Sequence, residues 1–549
     1  MIRERYNQWL ESPVIDETTK EELRGLSEAE IADRFYCELE FGTSGVRGVL
    51  GAGTNRMNVY LIRRLSWSLA QTIIHEGAQQ QGVVIACDSR RCSDEFARET
   101  AKVLSAQGIR VYLFESLRPT PELSFAVRHL GTKAGIMITA SHNPKEYNGY
   151  KVYGEDGAQL APAYADKITE ILEDCPWDVP VMEVEAAEEA GLLEIVGAEI
   201  DKIYESCVKN EMMQPELTKA KGGEISIVFT PLHGAGKDSV QRVLAESGFD
   251  DVFTVPEQEH PDTEFSTVES PNPEDSGAWG LVLEYAAARD AELLLATDPD
   301  SDRLGVQCRT SAGKYYHFTG NQVGILLTNY VLEVLSEQGQ LPEDGVIIQN
   351  IVSTAFTQKL AEAYDVEQRV VPVGFKFIGE QIKEMELSGK GTFLFGFEES
   401  IGYLKGTYTR DKDAVLAAAL VAEAALYYKV HHGKTLYQVM QELFDRYGCF
   451  VDQQVALKFE GAEGKEKIAQ MLAALETETP DILAGQKVLS RSRDGKMVCI
   501  ELENGGFIKG RPSGTEPKVR LYFCIGNDTN ECAYADLEQI KKEILDLIK

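Results

Sequence analysis

The chain has 549 residues, 43% of them hydrophobic and 26% charged, which is ordinary for a soluble globular protein of roughly four domains. Its formal net charge of −33 argues against nucleic acid or anionic membranes as partners, so a phosphate ligand would need a local basic pocket. No signal-peptide core or membrane-length run is expected, and ten cysteines without a Cys-x-x-Cys pair predict a reduced, cytoplasmic protein.

The first part of the chain predicts an α/β block. Residues 1–40 are charged and helix-prone, and Asn58 caps an amphipathic pattern that predicts a helix after it. Further strands are predicted at 83–86, 111–114 and 136–139, with helices at 94–106 and 121–130. Strands that alternate with helices predict a parallel or mixed sheet, with ligands beyond the carboxyl ends of its strands.

Two more α/β blocks and a different tail follow. The predicted strands of the second block are 225–229, 252–255 and 293–297. The third block has strands at 346–348 and 392–395 and an Ala-rich helix at 414–428. The tail has strands at 496–500 and 519–523 and a helix from 535 onward. The predicted domains are 1–208, 209–318 and 319–436, all α/β, and a smaller α+β domain at 437–549.

The segment Thr139–Lys151 places a serine at the mouth of a buried strand. Ser141 is followed by His142, Asn143 and Pro144, so the chain turns polar directly after an apolar run. Reacting groups often lie on such loops, but a plain polar turn between two elements would give the same pattern.

Three aspartates, Asp298, Asp300 and Asp302, follow the apolar strand at 293–297. In an extended backbone these positions point to one side, and three carboxylates so close together would repel unless a divalent cation lay between them. Oxygen ligands favour a hard ion, so the segment predicts Mg²⁺ rather than Zn²⁺, with an acidic turn as the alternative.

Two segments have the composition of phosphate sites. Phe41–Gly48 combines three glycines with two hydroxyls and Arg47, and Lys509–Arg520 carries two lysines and two arginines in a strongly acidic chain. A glycine-rich turn and a solvated basic loop are the respective alternatives.

Three further loops are ambiguous. Gly396–Gly402 presents a carboxylate and a hydroxyl suited to neighbouring sugar hydroxyls, although Glu398 could equally be a buried cap. Gly374–Lys376 and Arg410–Asp413 each place a lysine beside an element end. His233, between Pro231 and Gly234, is interpreted as a structural turn residue.

Taken together, these motifs resemble the α-D-phosphohexomutase superfamily, in the branch of phosphoglucomutases and phosphopentomutases. The resemblance runs through Thr139–Lys151, Asp298–Arg303, Gly396–Ser400 and Arg511–Arg520 in that order. It implies a heart-shaped enzyme of four domains, three with similar α/β cores and mixed sheets and a smaller C-terminal α+β domain.

The resemblance also implies roles for individual residues. Ser141 would carry a phosphoryl group and complete a Mg²⁺ site with Asp298, Asp300 and Asp302. The implied further catalytic residues are Arg47, His142, Lys151, Arg303 and Lys412. The implied substrate-binding residues are Thr43, Ser44, Gly374, Lys376, Glu398, Ser400, Arg511, Ser513, Gly514, Thr515 and Arg520.

The implied reaction interconverts glucose 1-phosphate and glucose 6-phosphate through a phosphoserine enzyme, with Mg²⁺ as cofactor and glucose 1,6-bisphosphate as intermediate and activator. Sugar phosphates are the expected partners, and the protein is expected to be a monomer or homodimer. In the mannomutase-like branch a histidine stands two residues after the sugar-binding serine, where this chain has Gly402. That difference leaves the general base open among Lys412, Lys151 and His142.

Several alternative functions remain open at this point. Within the class they are phosphopentomutase, glucose-1,6-bisphosphate synthase and phosphomannomutase. Outside it they are a Mg²⁺-dependent phosphatase, which would leave the second phosphate site without a purpose, and a sugar-phosphate binding protein, which has no use for three clustered aspartates.

Overall fold

Four β-sheets follow one another along the described part of the chain. The structure, a computed structural model, describes residues 2–42, 45–459, 463–512 and 518–548. Each sheet lies inside one of the predicted segments 1–208, 209–318, 319–436 and 437–549. The boundaries between these segments stay a prediction.

The first sheet has six strands in the order β1-β5-β4-β2-β3-β6, with β1 and β5 antiparallel to their neighbours. Its strands are β1 (Val46–Val49), β2 (Val83–Cys87), β3 (Val111–Phe114), β4 (Ala134–Ile138), β5 (Tyr147–Gly154) and β6 (Leu193–Val196). The helices are α1 (Ile2–Glu11), α2 (Glu17–Arg24), α3 (Glu28–Phe35), α4 (Val59–His75), α5 (Ser93–Ala106), α6 (Thr120–Leu130), α7 (Pro162–Glu173), α8 (Val184–Glu189) and α9 (Ala198–Asn210). The predicted cap is confirmed: the Asn58 side chain accepts from the N–H of Leu61 at the start of α4.

Both faces of this sheet are covered, which explains why its central strands are apolar throughout. Val83 and Ile85 of β2 pack in one core with α4 and α5, whereas Val84 and Ala86 pack in another with α6. Successive strand residues point to opposite faces, so a strand with helices on both sides needs an unbroken apolar run.

The second and third sheets repeat the mixed pattern, with a parallel centre and antiparallel strands at one edge. The second sheet, in the order β11-β10-β9-β7-β8, contains β7 (Ile227–Thr230), β8 (Val252–Thr254), β9 (Leu293–Thr297), β10 (Leu304–Arg309) and β11 (Tyr315–His317). The third, in the order β13-β12-β14-β15, contains β12 (Gly345–Asn350), β13 (Glu367–Val371), β14 (Thr392–Glu398) and β15 (Gly402–Leu404). The accompanying helices are α10 (Pro215–Lys221), α11 (Lys237–Glu246), α12 (Gly280–Arg289), α13 (Gly320–Glu337), α14 (Thr357–Tyr364), α15 (Phe375–Ser388), α16 (Ala414–Tyr427) and α17 (Leu436–Tyr447).

The fourth sheet is antiparallel, as the different pattern of the tail predicts. Its order is β16-β21-β20-β19-β18-β17, and helices α18 (Glu463–Thr477) and α19 (Asn530–Leu547) pack against it. The strands are β16 (Cys449–Lys458), β17 (Ile482–Leu483), β18 (Gln486–Asp494), β19 (Met497–Leu502), β20 (Phe507–Pro512) and β21 (Lys518–Asn527).

Helix α16 corrects one expectation from the sequence. With the π-helical turn Tyr428–His432 it forms a segment long and apolar enough to span a membrane, although no such run was expected. Within Ala414–His432, 83% of the most apolar 18-residue stretch is buried in the protein, and α16 packs against α9, α11 and α13. It is therefore a core helix, and its apolar composition on all sides follows from being surrounded by protein.

Candidate active site

Ser141 lies three residues beyond the end of β4, at the carboxyl edge of the first sheet. It is buried and has a φ of 53°, which is uncommon for a residue with a side chain. Its N–H donates to Thr139 Oγ1 at 2.8 Å, and its Oγ donates to Asp298 Oδ2 at 2.8 Å. The turn therefore directs the serine hydroxyl at the aspartate loop of the second sheet.

Arg90 organises the serine loop, although no motif in the sequence pointed to it. Its buried guanidinium forms an ion pair with Asp88 at 3.2 Å, just beyond the end of β2. The same guanidinium donates to the carbonyl oxygens of Ser141, Asn143, Pro144 and Tyr147. Arginine is the side chain with enough donors in a rigid fork to satisfy so many carbonyls at once.

The three aspartates lie together, as their spacing predicts. Asp298, Asp300 and Asp302 are buried, and each offers a carboxylate oxygen within 4.8 Å of the others. The predicted cause, an extended backbone, is wrong, because residues 299 and 300 form a turn and Ser301 has a φ of 56°. The turn brings the carboxylates closer than a strand would.

The aspartate cluster fits a hard cation. Among the described residues, Asp300 Oδ1 and Asp302 Oδ1 are buried and accept no hydrogen bond. Burial and the repulsion of Asp300 and Asp302 raise the pKa of Asp298 well above its usual range. Buried carboxylates with unpartnered oxygens, next to a hydroxyl, form the oxygen-only donor set that Mg²⁺ prefers.

Two lysines neutralise part of this charge. Lys151 Nζ lies 2.7 Å from Asp300 Oδ2, and Lys412 Nζ lies 3.1 Å from Asp302 Oδ2 and 2.8 Å from Asp411 Oδ1. Burial opposes the charged state of Lys412, but Asp302 and Asp411 outweigh it and raise its pKa. Asp411, which lies in the Arg410–Asp413 loop but had no predicted role of its own, also accepts from the Tyr153 hydroxyl at 2.8 Å and so joins the first sheet to the third block.

The remaining catalytic candidates surround Ser141. His142 Nδ1 lies 3.1 Å from Ser141 Oγ, and burial together with Arg303 and Arg47 lowers the pKa of His142 well below its usual value. Arg47 donates to Asn143 Oδ1 at 3.0 Å. Arg303 Nε lies 3.7 Å from Asp302 Oδ1, and the charge of this half-buried side chain is stabilised by Asp302 and Glu274.

A second group of side chains lies at the carboxyl edge of the third sheet. Glu398, at the end of β14, accepts from the Gly374 N–H at 2.8 Å and from Asn350 Nδ2 at 3.0 Å. Ser400 follows in the turn after β14, and Lys376 lies in the first turn of α15, two residues beyond Gly374. Glu398 is close enough to Lys412 and Arg303 to raise the pKa of both.

The structure explains why position 402 is a glycine, which the sequence did not reveal. A Cβ built there would lie 2.1 Å from Lys412 Cδ, so the missing side chain makes room for the lysine. In this chain, Lys412 fills the space next to Glu398 that a larger residue at position 402 would occupy.

The basic segment of the tail joins two neighbouring strands. Arg511 of β20 and Arg520 of β21 are cross-strand partners, and burial raises the pKa of Glu274 in the second block, a rise that Arg303 and, more weakly, Arg520 oppose. This proximity places Arg520 near the second block. Of the predicted ligand-binding residues, five lie outside the described part of the chain: Thr43, Ser44, Ser513, Gly514 and Thr515.

Fold and site together define a phosphohexomutase-type enzyme, and the comparison with family models agrees. The models described as phosphoglucomutase/phosphomannomutase, alpha/beta/alpha domains I, II and III match residues 38–176, 202–313 and 319–447. The chain belongs to this family, within the α-D-phosphohexomutase superfamily.

Named relatives match along nearly the whole chain. The phosphoglucomutase of Staphylococcus haemolyticus (strain JCSC1435) is 35% identical over 539 residues, covering 94% of both chains. That of Staphylococcus aureus (strain USA300) is 36% identical over 522 residues, covering 91% of this chain and 92% of the relative.

Solved structures support the same fold. The putative phosphomannomutase of Thermus thermophilus superposes with a TM-score of 0.71 at 24% identity, over 93% of this chain and 99% of that one. The open form of the phosphoglucomutase pp63/parafusin from Paramecium gives a TM-score of 0.74 at 17% identity, over 93% of this chain and 95% of that one.

Proposed function

We propose that this protein is a Mg²⁺-dependent phosphoglucomutase that interconverts glucose 1-phosphate and glucose 6-phosphate through a phosphoserine at Ser141. The observation that carries the proposal is the 2.8 Å contact between Ser141 Oγ and Asp298 Oδ2, inside a buried cluster of three carboxylates. The phosphoglucomutases from two staphylococci, which match over almost the whole chain, supply the choice of sugar.

The residues divide the work of phosphoryl transfer between two sites. Ser141 carries the phosphoryl group, and Mg²⁺ held by the three aspartates would neutralise charge on that group during in-line transfer. Lys151 and Lys412 are both paired with carboxylates, which suits charge compensation better than proton abstraction. Arg303 and Arg47 lie beside the serine loop, where they can bind phosphate oxygens.

The second site holds the other end of the substrate. Glu398 and Ser400 would accept and donate hydrogen bonds to sugar hydroxyls, while Gly374 and Lys376 border the same loop. Arg511 and Arg520, with Ser513, Gly514 and Thr515, would bind the distal phosphate. Two phosphate sites are what an isomerisation through glucose 1,6-bisphosphate requires. Phospho-Ser141 would transfer its phosphoryl group to one end of the sugar monophosphate, and the phosphoryl group at the other end of the resulting bisphosphate would return to Ser141. The phosphate that does not react must be held at the distal site each time. Closure of the fourth block over the cleft would exclude water from the phosphoserine.

The test replaces Ser141 and compares substrates. Ser141→Ala should reduce conversion of glucose 1-phosphate, with Mg²⁺ and glucose 1,6-bisphosphate present, by about a thousandfold or more. The exposed Ser206→Ala on α9 is the matched control and should retain wild-type activity. Undiminished activity of Ser141→Ala would contradict the proposal.

Parallel assays with the wild-type protein separate the rival activities. The proposal predicts a higher kcat/KM on glucose 1-phosphate than on mannose 1-phosphate or ribose 1-phosphate. A preference for ribose 1-phosphate would identify a phosphopentomutase, and net phosphate release above isomer formation would identify a phosphatase. We expect a cytoplasmic protein, and all ten cysteines are free thiols, in agreement with a reducing compartment.

A further inference from the structure

Asn350, the last residue of β12, connects two acidic side chains of Gly396–Gly402, the sugar-binding loop. It is fully buried, and its Nδ2 lies 3.0 Å from Glu398 Oε1 and 2.7 Å from Glu399 Oε2. An amide nitrogen has two protons, so each carboxylate can receive one hydrogen bond. The two glutamates are adjacent in sequence, and burial together with Glu398 raises the pKa of Glu399 to about 7.

The orientation of the Asn350 amide is fixed by the hydrogen bonds that its oxygen accepts. Oδ1 accepts from the N–H of Val352 at 3.1 Å and from Ser353 Oγ at 2.9 Å. A flipped amide would place its oxygen against two carboxylates and its nitrogen against a backbone N–H. The hydrogen-bond partners therefore assign the donor to Glu398 and Glu399.

This amide leaves one oxygen of Glu398 for a ligand. The donors from Asn350 and Gly374 both act on Oε1. Among the described residues, no hydrogen bond reaches Oε2 of Glu398. Without the Asn350 amide, one glutamate would repel the other, and Glu398 would lose one of the two donors that hold it.

The turn after Asn350, residues 351–356, also contacts the fourth sheet. Lys509 Nζ of β20 donates to the Ile351 carbonyl at 2.5 Å, and the Ala355 N–H donates to Cys524 Sγ of β21 at 3.4 Å. The Phe356 ring packs edge-on against Phe450 of β16 with centroids 6.4 Å apart. One short turn thus contacts the C-terminal block on one side, and Asn350 directly before it donates to Glu398 and Glu399 on the other.

We propose that Asn350 is a positioning residue for sugar recognition: from the end of β12, next to the turn that contacts the C-terminal block, it holds Glu398 and Glu399 side by side, so that Glu398 can bind a sugar hydroxyl. The inference rests on the proposed function, because it takes Glu398 to contact the sugar. Asn350 itself need not touch the substrate, and its effect should appear as loss of discrimination between sugars.

The variant Asn350→Asp isolates this role. Its carboxylate keeps an acceptor for Val352 and Ser353, which preserves the turn, but it places an oxygen where the amide donated to two glutamates. We expect kcat/KM for glucose 1-phosphate to fall by about thirtyfold, mainly through KM, as two hydrogen bonds to charged acceptors are lost. 3-Deoxy- and 4-deoxyglucose 1-phosphate each lack one hydroxyl that Glu398 could bind. For at least one of these two analogues, the same substitution should change kcat/KM by no more than about threefold.

Asn329→Asp is the matched control. Asn329 of α13 is also a buried amide that donates to a glutamate, at 3.0 Å to Glu333 Oε2, but far along the chain from the sugar-binding loop. The same chemical change there should leave the ratio between glucose 1-phosphate and the deoxy analogues at its wild-type value. The double variant Asn350→Asp with Glu399→Gln restores an amide opposite the new carboxylate and should recover part of the lost discrimination.

Equal losses on all three substrates, with the wild-type ratios retained, would overturn the inference and leave Asn350 a purely structural residue. If Asn350→Asp does not fold, Asn350→Ala gives the same comparison. A wild-type protein that fails to isomerise glucose 1-phosphate would contradict the proposed function instead. In that case binding constants of the wild type and variants for glucose 6-phosphate and its deoxy analogues decide the inference by the same ratio.

Discussion

At the scale of single residues, the metal-binding capacity of the acidic cluster depends on which carboxylate oxygens already accept hydrogen bonds from the protein. Thr120, at the first position of α6, donates through Oγ1 to Asp300 Oδ2 at 2.9 Å and through its N–H to the Asp300 carbonyl at 2.8 Å. Lys151 contacts the same Oδ2. Asp300 Oδ1 therefore stays directed into the cluster, and groups of this kind commonly tune a metal site from outside it.

Thr120→Val tests that contact by removing the hydroxyl while keeping the shape of the side chain. We expect the affinity for Mn²⁺ or Mg²⁺, measured by titration calorimetry on the purified protein, to fall by about tenfold. Thr120→Ser keeps the donor and should bind the metal nearly as well as the wild type. Wild-type affinity in Thr120→Val would show that the hydroxyl does not orient Asp300.

At the scale of elements, the start of α13 fixes the position of the sugar-binding loop by packing against its backbone. Thr319 and Gln322 form a capping box there, and Gly320 lies directly beneath the turn after β14. A Cβ at Gly320 would lie 2.0 Å from the Glu399 carbonyl oxygen and 2.7 Å from the Ile401 nitrogen. The close approach of backbone to backbone requires glycine at this position.

Gly320→Ala should therefore displace the loop that carries Glu398 and Ser400. We expect KM for glucose 1-phosphate to rise by about tenfold and overpacking to cost about 1–3 kcal/mol of stability. Gly280→Ala is the matched control, since Gly280 also begins a helix, α12, and a Cβ there meets nothing within 4 Å. Kinetics and thermal unfolding of both variants check the prediction, and a wild-type KM in Gly320→Ala would refute it.

The elements also show what could be predicted from the sequence. Strands β3 and β9 match their predicted bounds because they are short apolar runs between clear breaks. Strand β6 was missed, since its pattern, with Glu194 and Ile195 exposed, lacks the apolar run of a covered strand. The three aspartates were predicted because they cluster in one short segment, whereas the Ser141 loop alone also fits a plain polar turn and its role was predicted from the family resemblance.

Other residues of the site could not be predicted, because their importance depends on contacts between distant segments. Arg90 binds carbonyls more than fifty positions away, and Asp411 accepts from Tyr153 across 258 positions. In the sequence, Asn350 is an ordinary polar residue at the end of a strand, and its role becomes visible only in its hydrogen bond to Glu398. For Arg90, the local signal in the sequence was its Asp-x-Arg spacing with Asp88 directly after a buried strand.

At the scale of the whole molecule, polar contacts between the four blocks assemble the cleft. Thr120 joins the first block to the aspartate loop, and Asp411 joins the first to the third. Asp452 of β16 lies near Cys524 of the fourth block and near Thr354 and Asn321 of the third, which favour its charged form, while its Oδ1 is buried and accepts no hydrogen bond from the described residues. Burial raises the pKa of Asp452 to about 6.

This carboxyl should make the protein's stability depend on pH in a defined direction. The folded chain holds the Asp452 proton more tightly than the unfolded chain, so the group stabilises the folded state below the unfolded pKa of 3.8 and this contribution is lost as pH rises through about 6. Asp452→Asn removes the charge, and we expect it to raise the thermal midpoint more at about pH 8 than at about pH 5. The exposed Asp528→Asn is the control. Equal shifts at both pH values would contradict the prediction.

The central claim is that Ser141 carries the phosphoryl group, and mass spectrometry tests it most directly. The purified protein is incubated with glucose 1,6-bisphosphate and Mg²⁺, and the intact mass and peptide map are then measured. The account predicts one phosphoryl group per chain, located on Ser141 and lost again on addition of glucose 6-phosphate. An active protein whose Ser141 stays unmodified under these conditions would contradict it.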